Sequence, residues 1–157
     1  MGDFLCHQGD LEGTRRADDG DVAFAHIGDF ANLGKWDPGI ISSTKATAGE
    51  VGVGTAYDVV VSYRGREMNM RYVITDYSPG HKIVLEGDGA RVHAIDVIDF
   101  VDENGGTLIT YTADLSLKGL GRFFEPLLAG RLRQIGSDAV AGMRNWLSEL
   151  EADAQAA

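Results

Sequence analysis

Cysteine is all but missing from this sequence: Cys6 stands alone among 157 residues. One thiol cannot build an internal disulfide framework or a cysteine-based zinc site, so nothing points to an oxidising compartment. Cys6 itself reads as a small buried apolar side chain. Nor is there an uninterrupted apolar run of the roughly eighteen residues that a membrane-spanning helix requires. The opening segment MGDFLCHQGD lacks a basic stretch followed by an apolar one, and it lacks the hydroxyl residue of a myristoylation signal. A cytoplasmic protein with no stable membrane insertion is therefore expected. Positive charge is scarce as well: 14 Lys and Arg stand against 24 Asp and Glu, a formal net charge of -10 that repels phosphate backbones and anionic headgroups. The basic residues are scattered apart from Arg15-Arg16 and the Arg131/Arg133 pair, so no nucleic acid partner is expected.

Several chemical signatures are absent too. The histidines His7, His26, His81 and His93 show no HxH or HxxxH spacing, so no metal is expected. Gly49, Gly52 and Gly54 precede a strand pattern rather than a helix and are not followed by Lys-Ser/Thr, which excludes a phosphate loop. A Gly-x-Ser-x-Gly elbow is missing, so a serine hydrolase is unsupported. No cofactor is implied by any of these patterns.

What is present is a 44% apolar chain, long enough for one domain over 1–157 with a substantial core. From residue 54 onward, turn signals recur at short intervals: RGRE at Arg64–Glu67, SPGH at Ser78–His81, GDGA at Gly87–Ala90 and ENGG at Glu103–Gly106. Between them apolar and polar residues alternate. Tyr57, Val59, Val61 and Tyr63 share the inner face of one strand; Met68, Met70, Tyr72 and Ile74 that of the next; Ile83 and Leu85 that of a third; and Ile109, Tyr111, Ala113, Leu115 and Leu117 that of the last. A further strand is expected around Ile40–Thr47 and another within Leu5–Ala17. A short helix opens near Asp18 or Asp19 with Ala23, Phe24 and Ile27 on one face, and another turn or two covers Phe30–Trp36, closed by Asp37-Pro38-Gly39. After Gly119 the period changes to that of one long helix, with apolar residues that include Phe124, Leu128, Ile135, Met143 and Leu147. A one-faced antiparallel sheet must cover its apolar face, and only this helix is long enough to do so. Gly130, Gly136 and Gly142 lower side-chain volume along it, which suggests an incompletely filled interface.

In ARVHAIDVIDF, residues 90–100, Val92, Ala94, Ile98 and Phe100 fall on one face, and Asp96 falls among them. Burial disfavours the charged form of a carboxyl and raises its pKa. Such a group can act as a general acid or base on a bound ketone or enol, with Tyr72 or Tyr111 donating a hydrogen bond to the developing oxyanion. Two other readings stand beside this one. Asp96 can be a structural carboxylate satisfied by a tyrosine hydroxyl, a backbone amide or Arg131 or Arg133. Alternatively, a β-bulge shifts the register, so that His93, Ile95, Val97 and Asp99 face inward.

The segments FANLGKWDPGI (Phe30–Ile40) and VGVGTAYDVVV (Val51–Val61), followed by the Gly105-Gly106-Thr107 hairpin, resemble the polyketide cyclase/dehydrase branch of the START-like (SRPBCC) superfamily over roughly residues 20–150. The resemblance implies an α+β helix-grip fold: a curved antiparallel sheet of six to seven strands around a long C-terminal helix, with two small helices after the first strand. It also implies an apolar cavity between sheet and helix for a small hydrophobic or aromatic molecule. The superfamily serves ligand carriage as well as aromatic cyclisation, so a carrier or sensor of a lipid or quinone is the other expectation. Lining residues would be Trp36, Tyr57, Val59, Val61, Met68, Met70, Ile74, Ala94 and Ile98, with Phe124, Leu128 and Ile135 from the helix. The catalytic candidates are Asp96, Tyr72 and Tyr111, and a monomer or homodimer is expected.

Overall fold

The computed structural model describes residues 5–11, 19–103, 106–119 and 125–156, with side chains described over 21–102, 107–119, 134–154 and at 156. The elements run β1 (Leu5–Leu11), α1 (Asp19–Gly28), a 3-10 turn (Phe30–Asn32), α2 (Leu33–Trp36), β2 (Ile40–Lys45), β3 (Ala56–Tyr63), β4 (Arg66–Ser78), β5 (Lys82–Gly89), β6 (Val92–Glu103), β7 (Gly106–Leu117) and α3 (Glu125–Ala156). All seven strands join one antiparallel sheet in the order β1-β7-β6-β5-β4-β3-β2. This is the expected helix-grip architecture. The six strands after α2 form a meander, and β1 returns to pair with β7, so the first two strands lie at opposite edges of the sheet. The chain between those edges carries α1 and α2, which pack on the sheet's inner face together with α3.

Turn chemistry fixes the hairpins. Arg64 and Gly65 both have positive φ, 52° and 70°, as a tight two-residue hairpin demands, and Tyr63 pairs directly with Arg66 across it. Gly80 has φ 76°, which suits the position after Pro79 in a type II turn. The GDGA segment departs from its expected role: Gly87, Asp88 and Gly89 belong to β5, and the reversal follows at Ala90 and Arg91. The Asn104-Gly105 turn and the Asp18 cap lie outside the described residues.

Alternation turns inner-face residues into a core. Tyr57, Val59, Met70, Tyr72, Ile74, Ile83, Leu85, Ala94, Ile98, Phe100, Ile109 and Tyr111 are buried, and the helices cover them with Ala23, Phe24, Ile27, Ala139, Met143 and Leu147. Ala139, Met143 and Leu147 repeat every fourth residue, the spacing of one helical face. Phe30, Leu33 and Trp36 close the same core beside α1. Phe30 meets Trp36, Tyr57 and Tyr72 at ring separations of 6.2, 6.0 and 5.5 Å. Such aromatic contacts add directional attraction to the burial itself.

Gly142 has a different task from the expected lowering of volume. A Cβ there would lie 1.9 Å from the Trp36 carbonyl oxygen, so the glycine lets the backbone of α2 rest directly on α3. The space is filled by the neighbouring main chain. Replacing a helical glycine with alanine ordinarily stabilises by about 1 kcal/mol, but here the clashing atom is backbone and cannot rotate away. Gly142→Ala should therefore lower stability by about 1–3 kcal/mol through overpacking, read as a lower urea midpoint. A raised midpoint would contradict this packing.

Candidate functional site

Asp96 sits midway along β6, opposite Leu85 of β5 and Ala113 of β7, with no register shift in either pairing. The strand alternates without a bulge: Ala94, Asp96, Ile98 and Phe100 are buried, whereas Ile95 is 39% exposed. The register that would turn His93 and Asp99 inward is therefore excluded. Asp96 is 3% exposed, and the Tyr111 and Tyr72 hydroxyls lie beside its carboxyl group.

Sheet geometry explains both partners. Tyr111 pairs with Ile98, one inward position along from Asp96, so it reaches the carboxylate as a diagonal cross-strand neighbour. Tyr72 starts two strands away on β4 and must cross β5 to arrive. Its cross-strand partner is Gly87, and a Cβ at that position would lie 2.5 Å from the Tyr72 ring. The glycine is thus the opening over which the ring passes. Its sequence signal was an inward glycine continuing the Ile83, Leu85 parity, a pattern that marks close approach within a strand.

Burial dominates the electrostatics. Loss of water raises the Asp96 pKa from 3.8 to about 7; the Tyr111 and Tyr72 hydrogen bonds pull it down, and the nearby Asp37 carboxylate pushes it up. Both tyrosine hydroxyls are held well above their ordinary range, first by burial and then by the Asp96 charge. Asp37 is itself buried, and its pKa is raised by desolvation and by Asp138 against the lowering effect of the Gly39 amide, which donates to its Oδ1 at 2.8 Å. From sequence Asp37 reads as part of a turn that packs near the cavity mouth. The hydrogen bond from Gly39 supports the turn, while the influence of Asp37 on Asp96 had no sequence signal.

Trp36 completes the cluster. It is 1% exposed and meets the Tyr111 ring edge-on at 5.8 Å and 81°. Its indole Nε1 is buried with no hydrogen-bond partner among the described residues. The Tyr57 hydroxyl is also buried without a well-directed hydrogen bond, and it lies beside the Asp29 carboxylate and the Phe30 amide.

The sequence profile described as "Polyketide cyclase / dehydrase and lipid transport" matches residues 19–150. The chain belongs to this family. Solved structures with the same fold include an aromatase/cyclase from Streptomyces, at 12% identity and TM-score 0.69 over 90% of this chain and 94% of that one. A START superfamily protein from Mycobacterium smegmatis superposes with TM-score 0.70 at 14% identity, covering 93% of this chain and 99% of that one. A Thermus thermophilus protein reaches TM-score 0.74 at 12% identity over 91% and 97% of the two chains. No curated protein sequence matches the chain.

In this polyketide cyclase/dehydrase family member, the fold brings Asp96, Tyr72, Tyr111 and Trp36 together, with Tyr57, Val59, Met70, Ile74, Ala94 and Ile98 buried around them. Val61 and Met68 are half-buried toward the β3–β4 hairpin, and Ile135 is 36% exposed on α3. Phe124 and the side chains of Leu128, Arg131 and Arg133 lie outside the described residues. A groove of about 440 Å3 runs between α2 and α3, lined by Lys35, Trp36, Asp37, Asp138, Gly142 and Trp146. A larger groove of about 640 Å3 crosses β3, β4 and β5. Its charges satisfy one another, Arg71 with Asp58 at 3.1 Å and Lys118 with Asp88 at 2.6 Å, and none of the Asp96 cluster lines it. Among the described residues there is no cluster of side chains suited to a metal and no helix long and apolar enough to cross a membrane.

The folded protein keeps the Asp96 proton up to about pH 7, whereas the unfolded chain releases it near 3.8. The folded state therefore binds more protons in this window, and stability falls as pH rises through it. The whole window is worth about 4 kcal/mol at ~1.4 kcal/mol per pH unit. Asp96→Asn cannot ionise, so urea unfolding of the variant should lack this decline and overtake the wild type above neutrality. Parallel pH profiles for the two proteins would contradict the assignment.

Proposed function

We propose that the protein binds a small hydrophobic or aromatic molecule between the sheet and α3, and that Asp96 acts on it as a general acid or base in cyclase/dehydrase-like chemistry. The observation that carries this reading is a buried carboxyl, poised to exchange its proton near neutrality, at the centre of an otherwise apolar inner face. A general base operates best when its pKa lies near the working pH. The Tyr72 and Tyr111 hydroxyls beside the carboxyl group are placed to orient it before a ligand arrives. Val59, Met70, Ile74, Ala94 and Ile98 supply apolar surface for the ligand, joined on the α3 side by Ile135. Trp36 and Tyr57 stand at the polar end.

The family also includes lipid transport in its description, and one observation favours a carrier: Asp96 is already provided with two hydroxyl donors and needs no ligand to satisfy it. In either role the protein works as a cytoplasmic monomer or homodimer, and its acidity keeps it from nucleic acids and anionic membranes.

Deuterium exchange separates the two. The α-protons of 2-acetylnaphthalene, followed by NMR in D2O, should exchange faster in the presence of the protein, with a rate that rises through about pH 7 as Asp96 ionises. Asp96→Asn should reduce the acceleration by about 10²–10⁴-fold, the usual contribution of a positioned base. Saturable binding of the ketone without any acceleration would leave the carrier and remove the enzyme.

A further inference from the structure

The hydrogen-bonding inventory of the cluster is asymmetric. The Tyr72 and Tyr111 hydroxyls lie beside Asp96, which competes with any ligand for their protons. Trp36 Nε1 is a donor only, fully enclosed, and has no acceptor among the described residues. An unmatched buried N–H is destabilising, so retaining one in a core needs a reason. Its ring packs on that of Tyr111, whose hydroxyl lies beside Asp96, so one aromatic neighbour joins Trp36 to the carboxyl. The charge of the cluster is equally one-sided. The buried ionisable side chains among the described residues, tyrosines apart, are the carboxyls Asp37 and Asp96. A ligand carboxylate or phosphate placed there would lose its water and face like charges.

We infer that the Trp36 indole N–H is the recognition donor for a neutral carbonyl oxygen on the ligand, and that Asp37 and Asp96 reject the corresponding carboxylate. The site thereby selects neutral aryl ketones or quinones over fatty or aromatic acids. This inference rests on the ligand-binding reading above and assigns its polar contact to Trp36 in place of the two tyrosines.

The test uses three probes of one skeleton at pH 8: naphthalene, 2-acetylnaphthalene and 2-naphthoate, titrated by calorimetry and by NMR of the indole N–H signals. The chain has 2 tryptophans, so Trp146→Phe identifies the Trp36 resonance. The ketone should bind about 10-fold or more tighter than the naphthoate and shift the Trp36 N–H signal downfield, while naphthalene binds without that downfield shift. Trp36→Phe should reduce ketone affinity about 10-fold, as expected for a lost buried hydrogen bond, and leave naphthalene affinity nearly unchanged. The NMR readout decides the matter in the wild-type protein even if that variant does not fold. Naphthoate binding as tightly as the ketone, or a Trp36 signal that the ketone leaves in place, overturns the inference while the ligand site stands. Failure of all three probes to bind overturns both.

Discussion

The burial of one carboxyl group organises the interior. Asp96 occupies the middle of a central strand, where water is excluded, and an isolated charge there would be costly. Two tyrosine hydroxyls offset part of that cost and leave the group balanced between its charged and neutral forms near pH 7. Other features follow from the arrangement. Gly87 must lack a side chain for Tyr72 to arrive, β6 must keep its register for Asp96 to face inward, and Trp36 must pack against Tyr111.

The topology makes this cluster possible. With β1 and β2 at opposite edges, the chain linking them carries α1 and α2 across the sheet's inner face and seats Trp36 and Asp37 beside the carboxyl. Gly142 then lets α3 come down onto the Trp36 backbone. The small residues at the site are concentrated where aromatic rings or main chain need to pass, and bulk is carried by Trp36, Tyr57, Phe30 and the isoleucines around them.

Much of this was legible in the residue order. The strict parity of β6 placed Asp96 among apolar neighbours, and the change from a two-residue to a helical period located α3. The order of elements matched a known fold, whose family the chain indeed joins. The illegible parts were those that depend on contacts between distant segments. Parity puts Tyr72 and Tyr111 on the inner face but does not tell that both converge on Asp96, because a diagonal reach and a passage over Gly87 depend on sheet curvature and ring rotamer. The same holds for Asp37, which looks like part of a Pro-Gly turn in sequence and becomes a buried neighbour of Asp96 only through tertiary packing. Gly142 misled for a related reason: a helical glycine shows that volume is missing, and only the packed structure shows what occupies the space.

The acid–base role of the cluster depends on the ionisation of Asp96. The most direct measurement is a carbon-13 NMR titration of its side-chain carboxyl in the folded protein, assigned by comparison with Asp96→Asn. A midpoint near 7 is predicted, well above that of exposed aspartates. A midpoint near the ordinary value of 3.8 would mean that the carboxylate is solvated or paired with a cation, and would contradict the buried acid–base role at the centre of this structure.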